Sequence, residues 1–269
     1  MAKVSVVMPV YNVNLQVLEF AVESILNQTY TDFELIICDD CSDEHIFAGL
    51  QAICERDHRI VLLRNSTNLK AGGARNKCIE CAKGKYIAMM DADDYSCKER
   101  LEKQVAFLEA HSEYAFVGSR ARYFERDTTE DGEYYWFCEF PQKKDFLFTL
   151  PFLHASVMFC AQALQAVNGY SQEQRAYRCE DYDLLMRLYV AGYIGVNLRD
   201  VLYLYRVDRE TYQRRQYRYR LNEVFVKLLG FHRMRLMPRG IPYALKPLIV
   251  GLIPQTILKK IKRRYYRNK

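Results

Sequence analysis

Apolar residues arrive in short unbroken blocks, separated by stretches in which they recur at helical spacing. Val4–Val10 is nearly continuous in apolar side chains, as a strand buried on both faces of a parallel sheet must be. Leu18, Val22, Ile25 and Leu26 then fall on one helix face. Phe33–Cys38 predicts a second strand, and Ser42 an N-cap with Asp43 and Glu44 in an acidic first turn. Ile46, Leu50 and Ile53 would face the sheet from that helix. Arg59–Arg64 predicts a third strand, Gly72 and Gly73 a polar loop, and Ala74 the approximate start of the next helix. Lys85–Met90 predicts a fourth strand that runs directly into Asp91-Ala92-Asp93-Asp94. Leu101, Val105 and Leu108 mark another helix. Beyond it, Tyr114–Phe124 and Tyr134–Phe140 read as strands around a surface turn at Asp127–Glu133. Ala155–Cys160 reads as a short strand and Asp181–Ala191 as a helix with Leu184, Leu185 and Leu188 on one face. A basic helix is expected from about Arg209, followed by an apolar stretch, Pro247–Leu258, that Pro254 interrupts.

Strand and helix alternating in this way predict an α/β fold: a mainly parallel sheet flanked by helices, with its ligand crevice at the carboxyl ends of the strands. Those ends carry Pro9, Tyr11, Asp39, Asp40, Asp91 and Asp93, so acidic and aromatic residues collect where such a fold binds ligands. At 269 residues, one large domain with a smaller appendage is the expected organisation. It divides into a catalytic domain over 1–208, with halves 1–110 and 111–208, and an extension over 209–269.

Charge sharpens that division. Met1–Asp208 carries 22 Lys and Arg against 31 Asp and Glu, whereas Arg209–Lys269 carries 17 against 2. An acidic body with a strongly basic tail calls for two explanations, one for each part. Nine cysteines, an odd number scattered through strands and helices, fit a reducing compartment better than a disulfide framework. The Cys-x-x-Cys pairs Cys38/Cys41 and Cys78/Cys81 lack knuckle-like turns, which favours buried strand and helix positions over zinc ligation. With no leader pattern and no apolar run near the roughly 20 residues of a spanning helix, the body is expected to be cytoplasmic.

The densest chemistry lies at Asp91-Ala92-Asp93-Asp94. Three carboxylates within four residues repel one another, and a cation is the usual remedy. An Asp-x-Asp at a strand end leaves room for diphosphate oxygens to complete a Mg²⁺ or Mn²⁺ shell. The competing reading is a solvated turn with helix-capping aspartates.

The chain resembles glycosyltransferase family 2, with its A-type nucleotide-diphospho-sugar fold. The resemblance runs through Val4-Ser5-Val6-Val7-Met8-Pro9-Val10-Tyr11-Asn12, Glu34–Asp43, Ala71-Gly72-Gly73-Ala74-Arg75-Asn76, Ala82–Ile87, the aspartate cluster and Glu180-Asp181-Tyr182-Asp183-Leu184. Order and spacing agree over roughly residues 3–206. Cys41 departs from the pattern where a glycine or asparagine is usual, and Asp208 departs where a histidine often follows the Tyr205-Arg206 pair. The resemblance implies that Pro9 and Tyr11 line a nucleotide base and that Asp40 accepts the uracil imide. Arg75 would neutralise the diphosphate, Asp91 would touch ribose or donor sugar, and Asp93 would hold Mn²⁺ or Mg²⁺. Asp181 would be the general base, with His154, Glu180 and Arg206 on the acceptor side. One base and one metal imply direct displacement with inversion, from a UDP-sugar to a saccharide acceptor carried on a lipid, as in capsule, O-antigen or lipooligosaccharide assembly.

The tail has its own reading. Leu248, Ile249, Val250, Leu252, Ile253, Ile257 and Leu258 stand beside Lys259, Lys260, Lys262, Arg263 and Arg264, a composition suited to an anionic membrane surface. Interleaved tyrosines and arginines could instead clamp RNA; nucleic acid is the less favoured partner. Two rival functions are a non-catalytic nucleotide-, membrane- or RNA-binding module and a sugar-phosphate nucleotidyltransferase. The latter should carry a glycine-rich basic loop after the first strand, where this chain has Pro9-Val10-Tyr11-Asn12.

Overall fold

The computed structural model describes residues 2–124, 133–207 and 217–252. Its centre is an eight-stranded sheet in the order β3-β2-β1-β4-β7-β6-β8-β5. The parallel half comprises β1 (Val4–Val10), β2 (Phe33–Asp39), β3 (Ile60–Arg64) and β4 (Tyr86–Met89). Each crossover is a helix: α1 (Leu15–Leu26), α2 (Glu44–Cys54) and α3 (Lys70–Cys81). The other half is mixed. β7 (Met158–Cys160) runs antiparallel to both β4 and β6 (Phe116–Phe124), β6 lies parallel to β8 (Gly195–Arg206), and β5 (Tyr95–Ser96) closes the edge against β8.

The period-two alternation of β1 divides the core in two. Val4, Val6, Met8 and Val10 join Leu18 of α1, Leu50 of α2 and Leu101 of α4 (Arg100–Ala110) on one face. Val7 joins Ala74 and Cys78 of α3, Leu164 of α5 (Ala161–Ala166), and Leu184 and Leu188 of α6 (Glu180–Val190) on the other. Ser5, a polar residue buried in a central strand, is satisfied twice: its hydroxyl donates to Glu34 at 2.6 Å and accepts from the Gly84 N–H at 2.9 Å.

Several expected boundaries move, each for a local reason. Gly72 and Gly73 lie inside α3, because a Cβ on Gly73 would sit 2.6 Å from the Leu69 Cβ; the glycines allow close packing in a first turn. The N-cap of α2 is Asp43; the Ser42 hydroxyl is occupied by the Asn12 N–H. Tyr134–Phe140 forms a single bridge, Tyr134 to Arg122, in place of a strand. Its rings instead lie over cations, with the Arg120 guanidinium 4.1 Å from the Tyr134 ring centre. Most of the expected Asp127–Glu133 turn, the start of the basic helix near Arg209 and the chain after Leu252 lie outside the described residues.

After β8 come α7 (Arg218–Arg233) and α8 (Ile241–Leu252), the latter with Pro247 inside it. Val226, Phe231 and Met234, with Ala244 of α8, are buried in the same cluster as Leu184. No helix among the described residues is long and apolar enough to cross a membrane.

Candidate active site at the strand ends

Two loops, one after β1 and one after β2, are sewn together at the carboxyl ends of the strands. Asn12 takes a left-handed backbone (φ 45°), its N–H reaches Ser42 Oγ at 2.9 Å, and its side-chain oxygen accepts the Asp43 N–H at 2.9 Å. Cys41, the sequence departure noted above, has φ 65°, the region that glycine and asparagine enter most readily. Tyr11, fixed just before this knot, is 55% exposed, with Pro9 half-buried behind it. A large aromatic presented to solvent at the mouth of a crevice is open to stacking.

The two adjacent aspartates at the end of β2 divide their work. Asp39 is buried; it pairs with Arg64 Nε at 3.2 Å and accepts the Ser42 N–H. Asp40 Oδ1 accepts both Asn65 Nδ2 at 2.9 Å and the Leu69 N–H at 2.7 Å, which fixes the loop that leads into α3. Both bonds fall on one oxygen of the carboxylate.

β4 delivers the acidic cluster, and its three carboxylates point to three fates. Asp91 Oδ1 pairs with Arg75 Nη2 at 2.7 Å. Asp94 is buried, and burial with its acidic neighbours Asp93 and Asp91 pushes its carboxyl well above the usual range; it accepts the Tyr203 hydroxyl at 2.9 Å and the Arg206 N–H at 2.8 Å. Asp93 is the exposed member. Hard carboxylate oxygens suit Mg²⁺ or Mn²⁺, and such ions commonly take one or two carboxylates and fill the remaining shell from substrate phosphates and water. Among the described residues no group of three or more His, Cys, Asp or Glu is arranged to hold a metal. Asp93, exposed at the end of β4, can offer hard oxygens to an ion that draws its remaining ligands from elsewhere.

Arg75 enters from α3 and is almost wholly buried. Burial opposes its charge, but Asp91, Tyr170 and Glu180 outweigh that and raise its pKa, so it stays a cation. Its Nε is buried without a hydrogen-bond partner among the described residues, a donor that lacks an acceptor. The first turn of α6 carries Glu180 and Asp181, near enough that the Glu180 charge acts on Arg75 and the Arg75 charge on Asp181. Burial first, then the Glu180 charge, pushes the Asp181 carboxyl up to about 6, against the opposing pull of the Tyr182 N–H and Arg75. Glu180 Oε2 is buried without a hydrogen-bond partner among the described residues.

Other residues do the positioning; Tyr170 and Arg187 carry no signal in the sequence pattern, whereas the resemblance implies an acceptor-side place for His154 and Arg206. Tyr170 lies against the Arg75 guanidinium (5.6 Å to the ring centre), and its hydroxyl is 2.6 Å from His154 Nε2. Burial, then Arg75, holds His154 well below its usual pKa, so it is a neutral brace for Tyr170 inside the protein. Asn76, one residue after Arg75, exchanges two bonds of 2.8 Å with the Tyr170 backbone. Arg187 of α6 donates to the Gly169 carbonyl at 2.7 Å and to Asp183 at 2.7 Å. The turn before Tyr170 thus ties α3, which carries Arg75, to α6, which carries Asp181. Arg206 is held behind the aspartate loop: its Nε donates to the Asp93 carbonyl at 2.7 Å, and its guanidinium lies 4.5 Å from the Phe124 ring centre.

The family model described as glycosyl transferase family 2 matches residues 5–167. EpsE of Bacillus subtilis, named as a glycosyltransferase, is 34% identical over 267 residues, covering 99% of this chain and 95% of its own. WfaP of Escherichia coli, a UDP-Glc:alpha-D-GlcNAc-diphosphoundecaprenol beta-1,3-glucosyltransferase, is 37% identical over 127 residues, 47% of this chain and 49% of its own. Among solved structures, Staphylococcus aureus TarS in complex with UDP-GlcNAc superposes with a TM-score of 0.70 at 18% identity, over 91% of this chain and 73% of that one; at that identity the likeness speaks for the fold.

Proposed function

The chain belongs to glycosyl transferase family 2, and we propose that within it the protein is an inverting, UDP-sugar-dependent enzyme acting on a hydroxyl of a lipid-carried saccharide. The observation that carries this reading is a pair of opposite charges within reach of each other. Arg75 is a cation with a buried unpaired N–H, and Asp181, which feels the Arg75 charge, is a carboxylate poised near neutrality.

Each chain residue then has a task. Tyr11 stacks on the base over Pro9, and the oxygen of Asp40 that does not hold the loop accepts the uracil imide N–H, which cytosine lacks. Arg75 neutralises the departing diphosphate, oriented by Asp91 from below. Asp93 would hold the divalent cation, whose chemistry when bound is to neutralise charge on the same leaving group. Asp181, ionised above about pH 6, takes the proton of the attacking acceptor hydroxyl. With a base on one side and a stabilised leaving group on the other, attack from the face opposite the diphosphate inverts the anomeric carbon. The UDP-Glc donor and diphosphoundecaprenol acceptor in the name of WfaP support the donor and acceptor classes.

A membrane surface as partner is supported by α8. Ile241, Leu245 and Ile249 recur every four residues, are 40%, 40% and 66% exposed, and so form one apolar stripe. Arg233, Arg235, Arg239 and Lys246 are exposed on the neighbouring stretch of chain, and no acidic residue follows Glu223 in the chain. Exposed apolar side chains in a basic stretch suit anionic lipid.

The donor assignment is tested by titrating UDP with and without Mn²⁺. The reading expects binding that Mn²⁺ strengthens and that GDP reproduces poorly; equal affinity for both nucleotides, or none for UDP, would remove it.

A further inference from the structure

Strand β8 grips the aspartate loop at three places. The Tyr203 hydroxyl accepts the Asp91 N–H at 3.2 Å and donates to Asp94 Oδ2 at 2.9 Å. The Arg206 N–H reaches Asp94 Oδ1 at 2.8 Å, and Arg206 Nε reaches the Asp93 carbonyl at 2.7 Å. Asp94 is buried with both oxygens engaged, while Asp93 beside it is exposed. A count of acidic residues would enlist Asp94 as a metal ligand; its contacts make it the tie between the loop and the core.

Tyr203 is itself fixed before it reaches the loop. It is fully buried, and its backbone pairs with Ser96 of β5 on one side and Ala121 of β6 on the other. The buried Arg100 guanidinium lies 5.0 Å from its ring centre and donates to the carbonyl of Met89, the last residue of β4, at 2.6 Å. A hydroxyl carried on such a strand is held in one position. The loop it holds is under load, because three carboxylates within four residues repel one another. Without that hydroxyl, the Asp91 N–H and the Asp94 carboxylate would each lose a partner inside the protein. Movement of the loop outward to water is the most direct relief, and it would carry Asp93 along.

We infer that Tyr203 is a positioning residue for the cation: with Asp94 as its strut, it fixes the loop from which Asp93 meets the ion. Asp94 is accordingly not a metal ligand. This inference rests on the metal reading of Asp93 proposed above and deepens it.

The test follows the electron paramagnetic resonance signal of free Mn²⁺ as it is bound by the full chain with UDP present. Tyr203→Phe removes one oxygen and leaves every carboxylate in place. It should weaken Mn²⁺ binding at least about tenfold, the low end of what partners behind a metal ligand contribute, with UDP affinity in the absence of metal within about twofold. Asp94→Asn should weaken Mn²⁺ binding comparably. The double variant should lose no more than about twofold beyond the more affected single one, because both changes strike the same bond. If Tyr203→Phe lowers the unfolding midpoint but keeps the Mn²⁺ affinity, the hydroxyl is only structural and the inference fails. Should Tyr203→Phe not fold, Asp94→Asn decides: weakened but saturable Mn²⁺ binding is expected of a strut. Binding that is unchanged, or abolished as expected for Asp93→Asn, would overturn it. No Mn²⁺ binding by the unaltered protein with UDP would remove the metal reading itself, a result distinct from any variant effect.

Discussion

Asp181 holds its charge against burial and against Glu180, and that opposition has a sign that can be measured at several pH values. An unfolded aspartate ionises near 3.8, and this one near 6. The folded state therefore keeps the proton longer. The stability this gives is fully present below about pH 3.8 and is lost as pH rises through about 6. Asp181→Asn mimics the protonated form and should stabilise the protein at pH 7 by up to about 3 kcal/mol, read by chemical denaturation. The same change should lower turnover at least about a hundredfold with little effect on donor affinity. In the unaltered enzyme kcat should climb with pH and level off above about 6; Glu180→Gln removes a repelling charge and should move that limb to lower pH. If donor affinity collapses in Asp181→Asn while bound donor still turns over, Asp181 is a donor ligand. Asp93→Asn should abolish the Mn²⁺-dependent part of UDP binding without loss of fold, since the side chain is exposed and keeps its volume; unchanged Mn²⁺ dependence would refute the metal assignment. At this scale the sequence pattern located the chemistry but not its supports. Tyr170 and Asn76 meet across 94 positions, and no local spacing reports such a pair. The resemblance implies an acceptor-side place for Arg206; its bond to the Asp93 carbonyl is a contact that only packing reveals.

Among elements, the turn before Tyr170 matters most, because it joins the helix of Arg75 to the helix of Asp181. Gly169 sits there at φ 58°, and a Cβ would come within 2.6 Å of Asn76 Oδ1. Gly192 is a natural control: its φ is 91°, but a Cβ would meet nothing within 4 Å. Either glycine changed to alanine should lose about 1–2 kcal/mol to left-handed backbone strain. Gly169→Ala should lose more, by the further loss of the Asn76 pair, and should also reduce kcat. Equal unfolding midpoints for the two variants would show that the turn is not the tie described here. The parallel half of the sheet was readable because continuous apolar runs and helical spacing are local signals. Glycines in α3 misled because a glycine that allows close packing looks the same as one that breaks a helix. The aromatic run Tyr134–Phe140 misled because β-propensity reports a packed surface, and here arginines supply that surface.

Across the whole molecule, the charge split of the sequence does not coincide with a structural one. The described part of the basic extension buries Val226 and Phe231 in the same core as α6, so α7 serves the body. The membrane proposal therefore rests on the exposed stripe of α8. Ile241, Leu245 and Ile249 changed together to Ser should leave the fold intact, as exposed substitutions do, and should weaken cosedimentation with anionic vesicles at low salt. Removing Pro247–Lys269 should act in the same direction while UDP binding persists; vesicle binding equal to that of the full chain in both variants would end the membrane reading. The central claim, a UDP-sugar transferase that uses Asp181 as base, is reached most directly by one assay. UDP-glucose, UDP-galactose, UDP-N-acetylglucosamine and GDP-mannose are incubated separately with the protein and Mn²⁺, and release of nucleoside diphosphate is followed beside Asp181→Asn. The account predicts release from at least one UDP-sugar, slowed at least about a hundredfold in the variant whose UDP affinity is unchanged. Release from GDP-mannose alone, or equal release from the variant, would contradict it.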